Sequence, residues 1–291
     1  MSPSVFALVA ASAALHVLWN ALVKTCRDKA AFAVLTSLAS FLLVLPLGLL
    51  LEGRACFSQP AAFWGLAALS GFCETLYTVF LFRAYRSSDL SVVYPLSRGV
   101  APVFTMVFGG LLIGDTISAF HSLLVAVILA GIVGVVMSTN AKGPTTMNRA
   151  GILFALATGA AIAGYHLVDR KVMMAAQPPS PLAYLLVVHA FLAIFISAYV
   201  LILSPNEHPL ALEWRTNRRG VLIVGACTPL AYLLIMVALQ TGNVTHVAAG
   251  RNVGILFSTL AGGLVLKEPI SFSRAVGALM IAGGVAGLVL C

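Results

Sequence analysis

The chain is a succession of apolar stretches, each close to the length of a membrane span, parted by short polar connections. A helix needs about 20 apolar residues to cross the hydrocarbon core of a bilayer. That ruler predicts ten spans, over 3–23, 31–51, 62–83, 91–113, 119–139, 151–169, 182–203, 220–239, 245–266 and 272–290. The connections carry turn-forming and charged residues: KTCRDK at 24–29, RSSD at 86–89, KGPTT at 142–146 and GN at 242–243. The longest, 204–220, is expected to hold a short interfacial helix with Trp214 at headgroup depth. Pro95 and Pro229, which follow Tyr94 and Thr228, are expected to kink their helices and free carbonyls toward a cavity. The pattern predicts an all-α polytopic membrane protein with ten transmembrane helices and almost nothing outside the membrane.

The chain also repeats itself. Residues 97–118, SRGVAPVFTMVFGGLLIGDTIS, and 250–271, GRNVGILFSTLAGGLVLKEPIS, align at an offset of 153 with eight of 22 positions identical. Among the identities are Arg98 with Arg251 and the pairs Gly109–Gly110 with Gly262–Gly263, while Asp115 faces Glu268. Gly131 and Gly134 continue the match into Gly284 and Gly287. A repeat of half the chain in so apolar a sequence predicts two pseudosymmetric halves, 1–140 and 150–291, of five helices each. An odd helix number per half sends the second half through the membrane the opposite way, giving inverted repeats. The glycines Gly109, Gly110, Gly262, Gly263, Gly283 and Gly287 read as close helix–helix contacts.

Composition narrows the class. Of 291 residues, 60% are apolar and 9% charged, more apolar surface than a water-soluble fold of this size can hide. The formal net charge of +8 does not indicate nucleic acid, because the basic residues cluster in short connections beside anionic headgroups. Lys24, Arg27, Lys29, Arg83 and Arg86 lie in the 1–2 and 3–4 connections; Arg215, Arg218, Arg219, Lys267 and Arg274 lie in the 7–8 and 9–10 connections. The positive-inside rule then places these connections in the cytoplasm and both termini outside. The five cysteines are scattered, without CxxC or histidine at ligand spacing, and read as free thiols rather than a metal site or disulfide framework. The first apolar stretch lacks a basic n-region and reads as a retained helix. Nothing in the sequence calls for a cofactor. The oligomeric state stays open, a homodimer included.

Charge inside a span costs about 2.5–3.5 kcal/mol on insertion scales, so each such residue is a functional candidate. Arg98, Arg251 and Glu74 stand clear of the span ends. Arg98 and Arg251 enter from opposite sides on equivalent helices, a forked cationic clamp suited to a carboxylate, phosphate or phosphonate. The alternative is that each snorkels or bonds nearby carbonyls. Glu74 suits a proton-coupling carboxylate or a static partner for Arg98. Trp19 and Asn20 correspond to Tyr165 and His166 across the repeat, an aromatic beside a hydrogen-bonding group, which suits a cavity wall or ordinary helix packing. His16 and His189 read as satisfied core or cavity residues.

These features resemble the EamA-type transporters of the drug/metabolite transporter superfamily. The residues that carry the likeness are YPLSRGVAP (94–102), the glycine pairs, the acidic closes LLIGD and LVLKE, and the opening LHVLWNALVK. The resemblance implies secondary transport or exchange of small metabolites across the inner membrane, with a cavity lined by helices 1, 3, 4, 6, 8 and 9. It points to Trp19, Asn20, Glu74, Tyr77, Arg98, Tyr165, His166, Tyr232 and Arg251 as lining residues. Many relatives are uncharged where Arg98 and Arg251 stand, which disfavours a hydrophobic cation as substrate, and several place both termini in the cytoplasm. The leading expectation is a secondary transporter of a small metabolite bearing an anionic group, such as an amino acid, organic phosphate or phosphonate. Drug or quaternary-amine export through Glu74 and the aromatics, and a non-transporting membrane subunit, are the alternatives. Motifs of an intramembrane hydrolase (HExxH, GxSxG, GxGD) do not occur.

Overall fold

The computed structural model describes residues 3–113, 118–137, 149–173, 175, 177–203, 210–241, 253–268 and 270–290. Among them the chain forms ten α-helices: α1 (Pro3–Thr25), α2 (Lys29–Leu51), α3 (Ala61–Ser87), α4 (Leu90–Ile113), α5 (Ala119–Met137), α6 (Arg149–Met173), α7 (Pro181–Leu203), α8 (Leu210–Thr241), α9 (Val253–Leu264) and α10 (Phe272–Leu290). Seven of these, α1, α2, α3, α5, α6, α7 and α8, contain stretches long and apolar enough to cross a membrane; α9 and α10 hold shorter apolar stretches. Leu50, Leu264 and Phe272 are 81%, 80% and 86% exposed, as side chains facing lipid are. The protein is a polytopic membrane protein. The start of the ninth predicted span, at 245, lies outside the described residues.

The 204–220 connection resolves into helix earlier than its composition suggests. Helix α8 begins at Leu210 and breaks at Asn217, whose backbone (φ −133°, ψ 25°) departs from helical values, before the apolar span begins. Glu213 fixes this short leading piece: its carboxylate accepts the backbone N–H of Asp28 at 3.0 Å and the amide of Asn217 at 3.2 Å. Trp214, one residue on, is 42% exposed.

Pro229 corrects one expectation. A proline inside a helix leaves the carbonyl four residues back without its donor. Here that carbonyl, Gly225 O, accepts the Ser40 hydroxyl of α2 at 2.9 Å. It is consumed in helix packing and does not line a cavity. Ser12 of α1 likewise donates to the Ala231 carbonyl at 2.7 Å. Hydroxyl-to-carbonyl staples of this kind hold helices where lipid removes the hydrophobic driving force between them.

Small residues set the closest approaches. A methyl group on Gly131 of α5 would lie 2.7 Å from the Gly277 carbonyl of α10, and one on Gly277 would lie 2.7 Å from the Gly131 carbonyl. Gly159 of α6 sits in the same way against Ser97 and Val100 of α4, which draws α6 onto α4 near the centre of the bundle. Gly283 departs from the expected GxxxG contact: a methyl group there meets nothing within 4 Å, whereas one on Gly287 would strike Leu124.

The two halves are joined at the end of the bundle where α1 and α3 finish. Glu268, just past α9, accepts the backbone N–H groups of Leu90 and Ser91 at 2.8 and 2.9 Å, capping α4 with negative charge. Arg274 of α10, 1% exposed, pairs with Asp89 at 3.4 Å and donates to Ser91 Oγ at 3.0 Å. Lys24 of α1 donates to the carbonyls of Tyr85 and Ser88. Buried charges are tolerated only with such partners.

Three substitutions test this account by thermal unfolding in detergent. Gly131→Ala forces α5 away from α10 and is expected to cost about 1–3 kcal/mol, the range for overpacking; Gly283→Ala, with open space, is expected to be neutral. Glu268→Gln keeps the shape but loses the charge on two backbone N–H groups, an expected loss of about 1.5–3 kcal/mol.

Candidate functional site

The most extensive helix–helix interface among the described residues lies between α3 and α6. Along α3, Ser70, Glu74 and Tyr77 recur at helical spacing on one face. At one end of this stripe Ser70 donates its hydroxyl to Asp169 of α6 at 2.6 Å. At the other end the Tyr77 ring stands 6.1 Å from the Tyr165 ring of α6 and 6.3 Å from Trp19 of α1, both edge to face. Tyr165 in turn lies 4.5 Å from the His166 ring, and His16 lies 6.3 Å from Trp19. The result is an aromatic wall running from α1 across α3 to α6.

Arg98 of α4 completes this group. Its guanidinium lies over the Tyr94 ring, with Cζ 5.6 Å from the centroid, where the ring's negative face attracts a cation. Tyr77, Tyr165 and Tyr85 also lie within electrostatic reach of it. Among the described residues no carboxylate stands within salt-bridge distance of Arg98. The alternative that Glu74 serves as its static partner is therefore not what the structure adopts. Glu74, between Ser70 and Tyr77, has Asp169 as the neighbouring charge that acts on it.

Several predicted lining residues spend their polar groups on contacts between or within helices. Asn20 is 1% exposed; its carbonyl oxygen accepts the Tyr85 hydroxyl at 2.6 Å and its amide donates to the His16 carbonyl at 2.7 Å. It pins α1 to α3. Tyr232 of α8 donates its hydroxyl to Asp169 at 3.1 Å. His16 and His189 each bond a carbonyl one turn back on their own helix, Ser12 O at 3.1 Å and Leu185 O at 3.0 Å. Trp19 is 6% exposed, and its indole N–H has no acceptor among the described residues. Arg251 lies outside the described residues. Cys26, Cys56, Cys73 and Cys227 are free thiols.

Sequence reasoning missed Asp169. It closes the predicted span 151–169 and so reads as a terminal charge, yet α6 continues to Met173 and leaves it 8% exposed. Its carboxylate accepts three hydroxyls from three helices: Ser70 of α3 and Tyr184 of α7, each at 2.6 Å, and Tyr232 of α8. The signal that could have found it is the coincidence of an acid near a span end with tyrosines one turn into the next span and in the eighth.

A cation, two carboxylates and an aromatic wall are thus gathered between apolar helices. Residues 149–290 match the EamA-like transporter family. An uncharacterized transporter of Bacillus subtilis (strain 168), YwfM, is 27% identical over 225 residues, 76% of this chain and 72% of that protein. A protein of known crystal structure superposes with a TM-score of 0.64 over 98% of this chain and 96% of the other, at 21% identity, a likeness that shows the fold alone. The family match covers the second half of the chain, and the likenesses are to membrane transporters.

The three-hydroxyl arrangement around Asp169 yields a test. Asp169→Ala leaves three buried hydroxyls without an acceptor, at about 1–3 kcal/mol each, whereas Tyr232→Phe removes one donor and is expected to cost about 1 kcal/mol. In thermal unfolding, the Asp169→Ala, Tyr232→Phe double variant is expected to be no less stable than Asp169→Ala alone, since the two changes remove the same bond.

Proposed function

We propose that the protein is a secondary transporter, an exporter or exchanger, of a small metabolite carrying an anionic group. It resides in the inner (plasma) membrane as ten spans in two inverted five-helix repeats, 1–140 and 150–291, and works by alternating access at a midplane site. The match of residues 149–290 to the family supports a second repeat with those bounds. The joining of the 3–4 connection to the 9–10 connection, through Asp89 and Arg274, supports equivalent ends lying on one side.

The observation that carries the anion reading is the state of Arg98. A guanidinium keeps its charge in any protein environment, and burial without a counter-ion is costly. Arg98 has tyrosines around it and, among the described residues, no carboxylate against it. An anionic substrate supplies the missing charge and takes two N–H groups of the fork. Trp19, Tyr77, Tyr165 and His166 wall the bound solute, Arg251 approaches from the pseudosymmetric helix, and Glu74 exchanges protons with the translocation pathway. A second reading, export of a drug or quaternary amine, draws on the proximity of Glu74 and Asp169 to the aromatic wall.

Thermal stabilisation of the purified protein separates the two. Bound ligand stabilises by mass action, about 2.7 kcal/mol at a hundredfold excess over the dissociation constant. The expected result is that butyrate, glycerol 3-phosphate or a phosphonate raises the melting temperature of the wild type and not of Arg98→Gln. Stabilisation by tetramethylammonium alone, or equal responses from the variant and the wild type, overturns the anion reading in favour of cation export.

A further inference from the structure

We propose that the outer face of α3, where it runs between α6 and α7, is a binding site for an anionic phospholipid. Arg83 takes the phosphate, and the apolar stripe that leads away from it along α3 takes an acyl chain. The site lies on the surface of the bundle and does not depend on which solute is carried.

Helical periodicity builds the stripe. Phe72, Leu76, Val79 and Arg83 stand at i, i+4, i+7 and i+11 and so share one face of α3. Phe72 and Arg83, at its two ends, are exposed. Glu74 lies nine residues before Arg83, half a turn round the helix, so this face is not the one that carries the candidate site. Each end of the stripe also meets a neighbouring helix. The Phe72 ring stands edge to face with Phe195 of α7 at 6.0 Å. The Arg83 guanidinium lies over the Phe154 ring of α6, with Cζ 5.5 Å from the centroid, and donates to the Tyr199 hydroxyl of α7 at 2.5 Å. Phe154 is in turn stacked with Phe80 at 6.2 Å. From Arg83 to Phe72 the axial distance is about 16 Å at ~1.5 Å per residue, close to half of the ~30 Å hydrocarbon core. The stripe has the length of one leaflet, with its cation at the headgroup end.

Arg83 is held but not neutralised. A guanidinium carries a permanent charge and a fork of N–H donors. The Tyr199 hydroxyl accepts from that fork, and no carboxylate pairs with Arg83 among the described residues. Held by Phe154 and Tyr199, the fork is pre-organised for a ligand, and its planar shape suits two phosphate oxygens. Arg86, one turn closer to the end of α3, and Arg149, the first residue of α6, are exposed too, which makes this edge of the bundle cationic. The acids of the same end are already engaged: Asp89 with Arg274, Glu268 with the N–H groups of Leu90 and Ser91, and Asp28 with those of Ala30 and Ala31. The positive-inside rule assigns these connections to the cytoplasm, and the cytoplasmic leaflet carries the negative surface potential of anionic lipids. A free phosphate uses the fork and ignores the stripe beside it. A phospholipid fits both, its phosphate on Arg83 and its chain along Val79, Leu76 and Phe72.

The test uses the full chain in detergent and follows thermal unfolding on adding phosphatidylglycerol, phosphatidylcholine or inorganic phosphate. Phosphatidylglycerol is expected to raise the melting temperature at concentrations about tenfold below those that phosphatidylcholine needs. Arg83→Gln is expected to lose that advantage, and Tyr199→Phe to lose part of it. Arg219→Gln, which removes another exposed charge from α8, is expected to keep it. Native mass spectrometry is expected to find phosphatidylglycerol retained by the wild type and by Arg219→Gln, and not by Arg83→Gln. Equal stabilisation by the two lipids, or equal responses from Arg83→Gln and Arg219→Gln, overturns the site and leaves Arg83 a snorkelling side chain. A response to inorganic phosphate that Arg83→Gln abolishes overturns the phospholipid assignment in favour of a free anion.

Discussion

An ionised side chain between apolar helices has no water to fall back on, and the whole bundle is arranged around that cost. With only 9% of its residues charged, the protein can be followed charge by charge. Glu268 rests on the first backbone N–H groups of α4, Arg274 on Asp89 and Ser91, and Glu213 on the turn before α2. Asp169 is surrounded by three hydroxyls. Each of these is a structural solution, and each ties helices that belong to different halves of the chain. Arg98 and Glu74 are treated differently. Neither meets a partner of opposite charge among the described residues, and both border the same aromatic wall. Among the described residues these two charges therefore stand apart from the structural ones, and the proposed function draws on that difference.

Packing decides where those two charges stand. Gly159 lets α6 settle against the Ser97–Val100 turn of α4, the turn that carries Arg98. The same helix presents Tyr165 to Tyr77 of α3 six residues later. A side chain at residue 159 would push α4 and α6 apart and open the aromatic wall from behind. Asn20 acts on the other flank: by binding the Tyr85 hydroxyl it sets the register of α1 against α3 and so places Trp19, its neighbour, against Tyr77. The site is thus held by residues that do not themselves face it.

Much of this was legible in the sequence because membrane spans announce themselves by length and hydropathy. The predicted spans and the helices agree to within four residues at most ends, and the mid-span charges Arg98 and Glu74 stood out for the same energetic reason that makes them interesting. Tyr77 and Tyr165, both expected as lining residues, meet edge to face. What the sequence hid were pairings across the bundle. Asp169 read as a span end because α6 extends four residues further than its apolar stretch. The repeat identified Glu268 as the counterpart of Asp115, yet nothing local says that it folds back over Gly262 to cap α4. Pro229 advertised a free carbonyl, and only tertiary contact shows Ser40 already bound to it. Tyr232 and Asn20 had the right chemistry for a cavity, but their polar atoms are taken by Asp169 and Tyr85.

The contrast between the two acids near α6 bears on how such a site can work. A carboxylate that accepts three hydroxyls holds together the helices that carry them. Glu74, one turn along α3 from the Ser70 that binds Asp169, accepts no side-chain hydrogen bond among the described residues. Asp169 thus staples α3, α6, α7 and α8 with one carboxylate. Removing the staple would loosen the helices on which Glu74 and Tyr165 stand. Framework and candidate site are coupled because both are built on the same α3–α6 interface, Ser70 with Asp169 at one end and Tyr77 with Tyr165 at the other.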